Sequence, residues 1–279
     1  MKIFAHTLFK NSEKWLWYSV TSVIDHVDKL LLWDTGSTDN SWEIAKVLKA
    51  KYKDKIDLKQ YGEVTSETFP IARQAMLDVT DADWFIVVDD DEIWWKESIQ
   101  KLIQCIKSTK SIKGVDCIVV PTINLVGDVY HKLPEGAGRY KFGNKVGHYN
   151  LRAVRRNIEG LHSAGLHGVW GWADKNGKQI QERNTFEIID ASYLHTTFLP
   201  RSNDVKDINN VPKRFKKIKY EIGEEFSKDF YYPEVFFCDK PDLVPSLWQR
   251  MDFSFWLKSL VLTPLRKLKR KFVTGKVGY

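Results

Sequence analysis

Cysteine is scarce in this chain of 279 residues: Cys105, Cys117 and Cys238 are widely separated, odd in number and free of CxxC spacing. That argues against a disulfide framework or a cysteine-built zinc site and suits a reducing cytosol. No run of about 18 apolar residues occurs, so no membrane span is expected. The opening MKIFAHTLFKNSEKW lacks the long apolar core of a signal peptide, which reads as a cytoplasmic protein. Internal repeats and low-complexity stretches are missing too. A Walker A loop is absent, which weighs against a P-loop phosphotransferase. Excess charge is also lacking over most of the chain. Residues 248–279 hold eight of the 43 Lys/Arg and one of the 36 Asp/Glu, leaving 35 of each sign in the first 247. The formal charge of +7 therefore belongs to the tail, and a nucleic-acid-binding domain, which spreads basic charge over its binding face, is not expected.

What is present is an ordinary globular composition, 43% hydrophobic and 28% charged, with eleven tryptophans. The first hundred residues alternate. KIFAHTL, KLLLWD, KIDLKQY and DWFIVVD read as strands. Helices are expected from about Glu13 to Val27 with Ser12 as cap, over WEIAKVLKAKY, over PIARQAMLDVT with Pro70 in its first turn, and over ESIQKLIQCIK. Continuous apolar strands alternating with helices predict an α/β fold with a mostly parallel sheet covered on both faces. From about Asn124 to Thr197 the pattern turns Gly- and His-rich with short strand-like runs, which reads as an antiparallel addition. Residues from about Arg201 to Phe226 read as helical.

Two strands, LLLWD and WFIVVD, end in aspartate at the carboxyl edge, where ligands bind in such sheets. The second runs on into Asp89, Asp90, Asp91 and Glu92, four adjacent negative charges after a buried-type strand. Two neighbouring carboxylates at a strand end can hold one divalent cation, or a cation and a ribose hydroxyl. If the extended geometry persists, Asp89 and Asp91 share a side and Asp90 faces the other way. The bland alternative is a solvated acidic turn capping the next helix. Asp34 before Gly36 suits a hydrogen bond to a base or ribose, and the fork of Arg73 suits a diphosphate or carboxylate.

Taken together, WDTGSTDNSWEIA and FPIARQAMLDVTDADWFIVVDDDE resemble the family-2 glycosyltransferases of the GT-A fold, a Rossmann-like α/β architecture, over about residues 1–120. Thr35, Gln74 and Asp90 depart from the usual pattern. The resemblance implies that Thr7, Leu8 and Asp34 hold the nucleoside, and that Arg73 lies near the base or diphosphate. It implies that Asp89 faces the ribose, with Asp90 beside the donor, and that Asp91 coordinates Mn²⁺ or Mg²⁺. Asp89 and His195 are further candidate ligands, with His162 and His167 as runners-up, since NLRAVRRNIEGLHSAGLHG and ASYLHTTFLPR resemble later family blocks. The acid expected after that histidine is missing, and Glu159 and Asp174 are the nearest carboxylates for a catalytic base.

The implied activity is metal-dependent, inverting transfer of a sugar from a UDP- or GDP-sugar to a glycan or lipid-linked acceptor in envelope or surface polysaccharide synthesis. A non-catalytic nucleotide-sugar-binding protein or a nucleotidyltransferase are the alternatives. The expected organisation is a catalytic domain over 1–200, divided into a nucleotide-sugar half (1–120) and an acceptor half (121–200). A helical and aromatic extension (201–247) and a basic amphipathic tail (248–279) complete it. In the tail, Thr263 and Pro264 would open a helix with Leu265, Leu268 and Phe272 on one face. Such a helix suits peripheral contact with the inner face of the plasma membrane.

Overall fold

Parallel strands form where the sequence runs apolar: β1 (Ile3–Phe9), β2 (Lys29–Asp34), β3 (Ile56–Gln60) and β4 (Trp84–Val87). The computed structural model describes residues 1–109, 114–168, 170–202, 218–272 and 276–277. The helices between these strands are α1 (Leu16–Val23), α2 (Ser41–Tyr52) and α3 (Phe69–Asp78), with Pro70 in the first turn of α3 as its spacing predicts. A short strand β5 (Glu92–Trp94) follows β4 and leads into α4 (Lys96–Ser108). On α4, Ile99, Leu102, Ile103 and Ile106 recur at i, i+3, i+4 and i+7 and are all buried. Each contributes about 1.5–3 kcal/mol of burial by area bookkeeping.

The second half adds β6 (Cys117–Val126), β7 (Asp128–Lys132), the hairpin β8 (Tyr140–Phe142) and β9 (Lys145–Gly147), and β10 (Tyr149–Arg155). Then come β11 (His162–Ala164), β12 (Gly171–Ala173), β13 (Phe186–Ile188), β14 (Tyr193–His195) and β15 (Glu224–Glu225). The main sheet runs β15-β7-β6-β10-β4-β1-β2-β3. Its β3-β2-β1-β4 part is parallel, and β10 inserts antiparallel between β4 and β6. This is the mostly parallel α/β sheet with antiparallel additions that the sequence predicts. One face packs on α1, α2 and α4. The other packs on α3 and the β11–β12 pair.

Three local expectations are corrected. The Ser12 hydroxyl donates to the Asp90 carbonyl rather than capping a helix, and α1 starts only at Leu16. The helical reading of 201–226 falls largely outside the described residues, and within 218–226 the chain forms β15 instead. The last helix, α5 (Phe253–Arg270), begins ten residues before Thr263, because the Asp252 carboxylate accepts from the Phe255 N–H and caps it. Pro264 therefore lies inside the helix.

Candidate active site

Topology makes the cleft. β1 stays paired with β2 as far as Phe9 and Asp34, but with β4 only as far as His6 and Val87. Beyond that point β1 and the chain after β4 part, at the place where the strand order reverses, and this is where open α/β sheets bind ligands. Asp89–Glu92 turn back at this opening, closed by Glu92 N–H to the Asp89 carbonyl at 3.1 Å. The Ser12 and Ser19 hydroxyls hold the Asp90 and Asp89 carbonyls from the α1 side.

That turn overturns the expected alternation. Strand geometry ends at Val87, so Asp90 and Asp91 point to a shared partner while Asp89 goes elsewhere. Arg201 places one guanidinium nitrogen 2.7 Å from Asp90 Oδ1 and another on Asp91 Oδ2. Arg201 is itself fixed, because its carbonyl accepts from Lys14 N–H and the Pro200 carbonyl from Trp15 Nε1. Asp89 takes Arg73 at 2.6 Å and Arg152 at 3.5 Å. Glu92, fully buried, takes Arg152 and the Tyr193 hydroxyl at 2.7 Å. The crowded acids are thus each matched by an arginine of the same chain.

These pairings set the protonation states. Removal from water works against the Asp89 charge, but Arg73 and Arg152 outweigh it and hold the carboxyl below its ordinary range. Burial lifts Glu92 to about 7 despite Arg152. Burial also works against Arg201, and Asp90 and Asp91 more than compensate, pushing it above the usual guanidinium value.

The other oxygen of Asp91 faces His195. Three groups fix that imidazole in sequence. The Pro134 carbonyl can only accept, so His148 Nε2, 3.1 Å away, carries its proton. His148 Nδ1 then accepts from Asn124 Nδ2 at 2.9 Å, in keeping with a pKa that burial lowers. Asn124 Oδ1 accepts from His195 Nδ1 at 3.1 Å. His195 Nε2 faces Asp91 Oδ1 at 3.4 Å. A carboxylate oxygen and an imidazole nitrogen facing it can share a cation, and a metal-binding histidine typically donates its other N–H in this manner. Among the described residues no group of three or more His, Cys, Asp or Glu could hold a metal. Two protein ligands do suffice for a hard cation that also takes water and phosphate oxygens. Asp91, whose Oδ2 takes Arg201, and His195 could supply those two ligands, whereas Asp89 takes two arginines.

The remaining expected residues divide into those at the rim and those away from it. Asp34 ends β2 beside the cleft, buried, accepting Ser37 N–H at 3.0 Å. Gly36, at φ +90°, makes that turn. Thr7 and Leu8 lie in the stretch of β1 that has outrun β4, with buried side chains. Arg73 is buried under the Phe69 and Trp170 rings. His167 meets Phe69 edge-on at 4.8 Å at the start of α3, and so at the rim. His162 sits farther back on β11, its Nδ1 2.9 Å from the Gly160 carbonyl.

Glu159 and Asp174 are not brought to this site. They line a separate cavity of about 290 Å³ with Asp116, Arg155 and Arg183. Arg155 pairs with Trp84, the first residue of β4, whereas Asp89 follows its last. Five residues of extended chain put roughly 16 Å between the two places. Glu159 pairs with Lys175 at 2.9 Å, and Asp174 accepts two backbone N–H groups of its own turn. As bases for chemistry at the rim they are ruled out by position.

Sequence reading missed Arg152, Tyr193, Asn124 and Arg201. Arg152 carried a signal: an arginine between apolar neighbours in a central strand needs a buried counterion. A bulge between Leu151 and Ala153 turns it toward the rim.

A glycosyl transferase family 2 model matches residues 6–158, more than half of the chain. No curated protein matches significantly. Among solved structures, S. aureus TarS 1–349 is similar at TM-score 0.48 and 14% identity, covering 78% of this chain and 63% of that one. The present chain thus spans less than two thirds of TarS 1–349. Glucosyl-3-phosphoglycerate synthase from Mycobacterium tuberculosis, in complex with Mn²⁺ and UDP-glucose, gives 0.41 and 14%, covering 74% of this chain and 73% of that one. Mannosyltransferase PcManGT from Pyrobaculum calidifontis, in complex with GDP-Man and Mn²⁺, gives 0.43 and 12%, covering 70% and 57%.

Proposed function

We propose, on the premise that the chain belongs to glycosyl transferase family 2, that it moves a sugar from a nucleoside-diphosphate sugar to an acceptor hydroxyl. The observation that carries this reading is the facing pair of Asp91 Oδ1 and His195 Nε2 at the topological switch point. A divalent cation, Mn²⁺ or Mg²⁺, would be held there by Asp91 and His195, and when bound would neutralise the departing diphosphate as a Lewis acid.

The chain's own groups do the rest. Asp89, with a third of its side chain open to solvent, would accept from a ribose hydroxyl while Arg73 and Arg152 keep it ionised and fixed. Asp34, Thr7 and Leu8 border the nucleoside position, and Asp90 reaches the donor through Arg201. The anomeric carbon would pass through an oxocarbenium-like state, with attack opposite the leaving group giving inversion. The acceptor would be a glycan or lipid-linked hydroxyl of envelope or surface polysaccharide.

Incubating the protein with Mn²⁺ and a panel of UDP- and GDP-sugars tests this. Release of nucleoside diphosphate from one donor is expected. Tight binding without turnover would make it a nucleotide-sugar-binding protein, and pyrophosphate with nucleoside monophosphate would make it a nucleotidyltransferase.

A further inference from the structure

The last helix is packed inside out. Facing the body, α5 buries Ser259 and Thr263. The Thr263 hydroxyl accepts from Ile222 N–H at 2.8 Å, Arg266 Nε donates to the Tyr220 carbonyl at 3.0 Å, and Arg270 pairs with buried Glu221 at 2.5 Å. Its polar side is the docked side. Phe253, Trp256, Leu257, Leu260, Val261, Leu265 and Leu268 are exposed, Phe253 and Val261 at 73% and 64%. At 100° per residue these seven fall within one half of the helix circumference, and Phe272 continues the stripe past the end. Eighteen residues at 1.5 Å make it about 27 Å long. An ordinary surface helix turns its apolar face inward, so this stripe has a purpose outside the fold.

We infer that this apolar face docks α5 flat on an anionic lipid bilayer. Charge decides the occupant. Exposed Lys258 and Lys269 lie along one flank and Lys267 along the other, with Lys271 at the end, and no Asp or Glu occurs from Phe253 to Phe272. A second copy of the same face would bring lysines against lysines with no acid to offset them. Anionic headgroups meet those lysines while acyl chains take the stripe. No helix among the described residues is long and apolar enough to cross a membrane, so α5 lies on the surface. The Pro264 ring, itself exposed, stays on the lipid side, and Arg266 and Arg270 keep the helix latched to the body. The inference stands apart from donor chemistry.

The full chain is mixed with phosphatidylcholine vesicles with and without phosphatidylglycerol, and pelleted. Binding to the anionic vesicles alone is expected. Leu257→Gln with Leu265→Gln should lower it at least tenfold, and Lys258→Gln or Lys269→Gln about fivefold each. Both apolar positions are solvent-exposed, so circular dichroism should match wild type. Failure to bind either vesicle overturns the inference. So does a concentration-dependent dimer that Leu257→Gln dissolves, which would assign the face to a second copy. Nucleotide release from a sugar donor would remain intact in either case, which separates this test from that of the reaction.

Discussion

The two edges of the sheet carry similar side chains and do different things with them. At the carboxyl edge, Asp89, Asp90, Asp91 and Glu92 meet Arg73, Arg152, Arg201 and His195, drawn from positions up to 111 residues apart and mostly buried. At the amino edge, Asp116, Glu159 and Asp174 meet Lys175 and Arg183. There Glu159 and Lys175 are more than half exposed. Exposed pairs contribute about 0–1 kcal/mol, whereas breaking a buried pair costs several. Long-range, buried and over-provided with charge, the first edge has the character of a site. The second pairs Glu159 with Lys175 at the surface and Asp116 and Asp174 with half-buried Arg183 beneath it.

Substitutions sharpen that contrast. The largest effect on stability is expected from Arg152→Met, which strips fully buried Glu92 of its counterion. A loss of about 3–5 kcal/mol, read from urea midpoints, is expected, and less than about 1 kcal/mol would mean the pair is not closed in solution. Next comes Arg201→Gln. Removing a fixed positive charge from Asp91 should tighten Mn²⁺ binding about tenfold by manganese electron paramagnetic resonance. Unchanged or weaker binding would show that Arg201 and the ion do not share Asp91. The smallest effects belong to the other edge: Glu159→Gln and Asp174→Asn should leave donor turnover within about twofold, as expected of groups roughly 16 Å from the rim. A hundredfold loss from either would erase the distinction between the edges.

Much of the sheet was legible because its cause is local. Apolar runs between helix signals reveal β1 to β4, and Pro70 marks where α3 begins. Asp34, Asp89 and Asp91 could be assigned to the carboxyl edge from strand ends alone. What opposes them could not. Arg201 follows Pro200 in a stretch without periodicity, and its value comes from chain folding 110 residues away from Asp91. The relay from Pro134 through His148 and Asn124 to His195 joins four separate stretches of chain, so no spacing announces it. Strand alternation failed at Asp90 because a turn had already replaced the strand. In α5 the apolar stripe was partly legible from Leu265, Leu268 and Phe272. Its N-terminal half was missed because Pro264 was read as a start, and Asp252 supplies the real cap.

The proposed reaction needs Asp91 and His195 to hold a divalent cation together. Mn²⁺ binding in the presence of UDP or GDP, measured by titration calorimetry on wild type, Asp91→Ala and His195→Ala, tests this most directly. Uptake by wild type and its loss in both variants, each still folded by circular dichroism, is the predicted result. Uptake undiminished in either variant would contradict it.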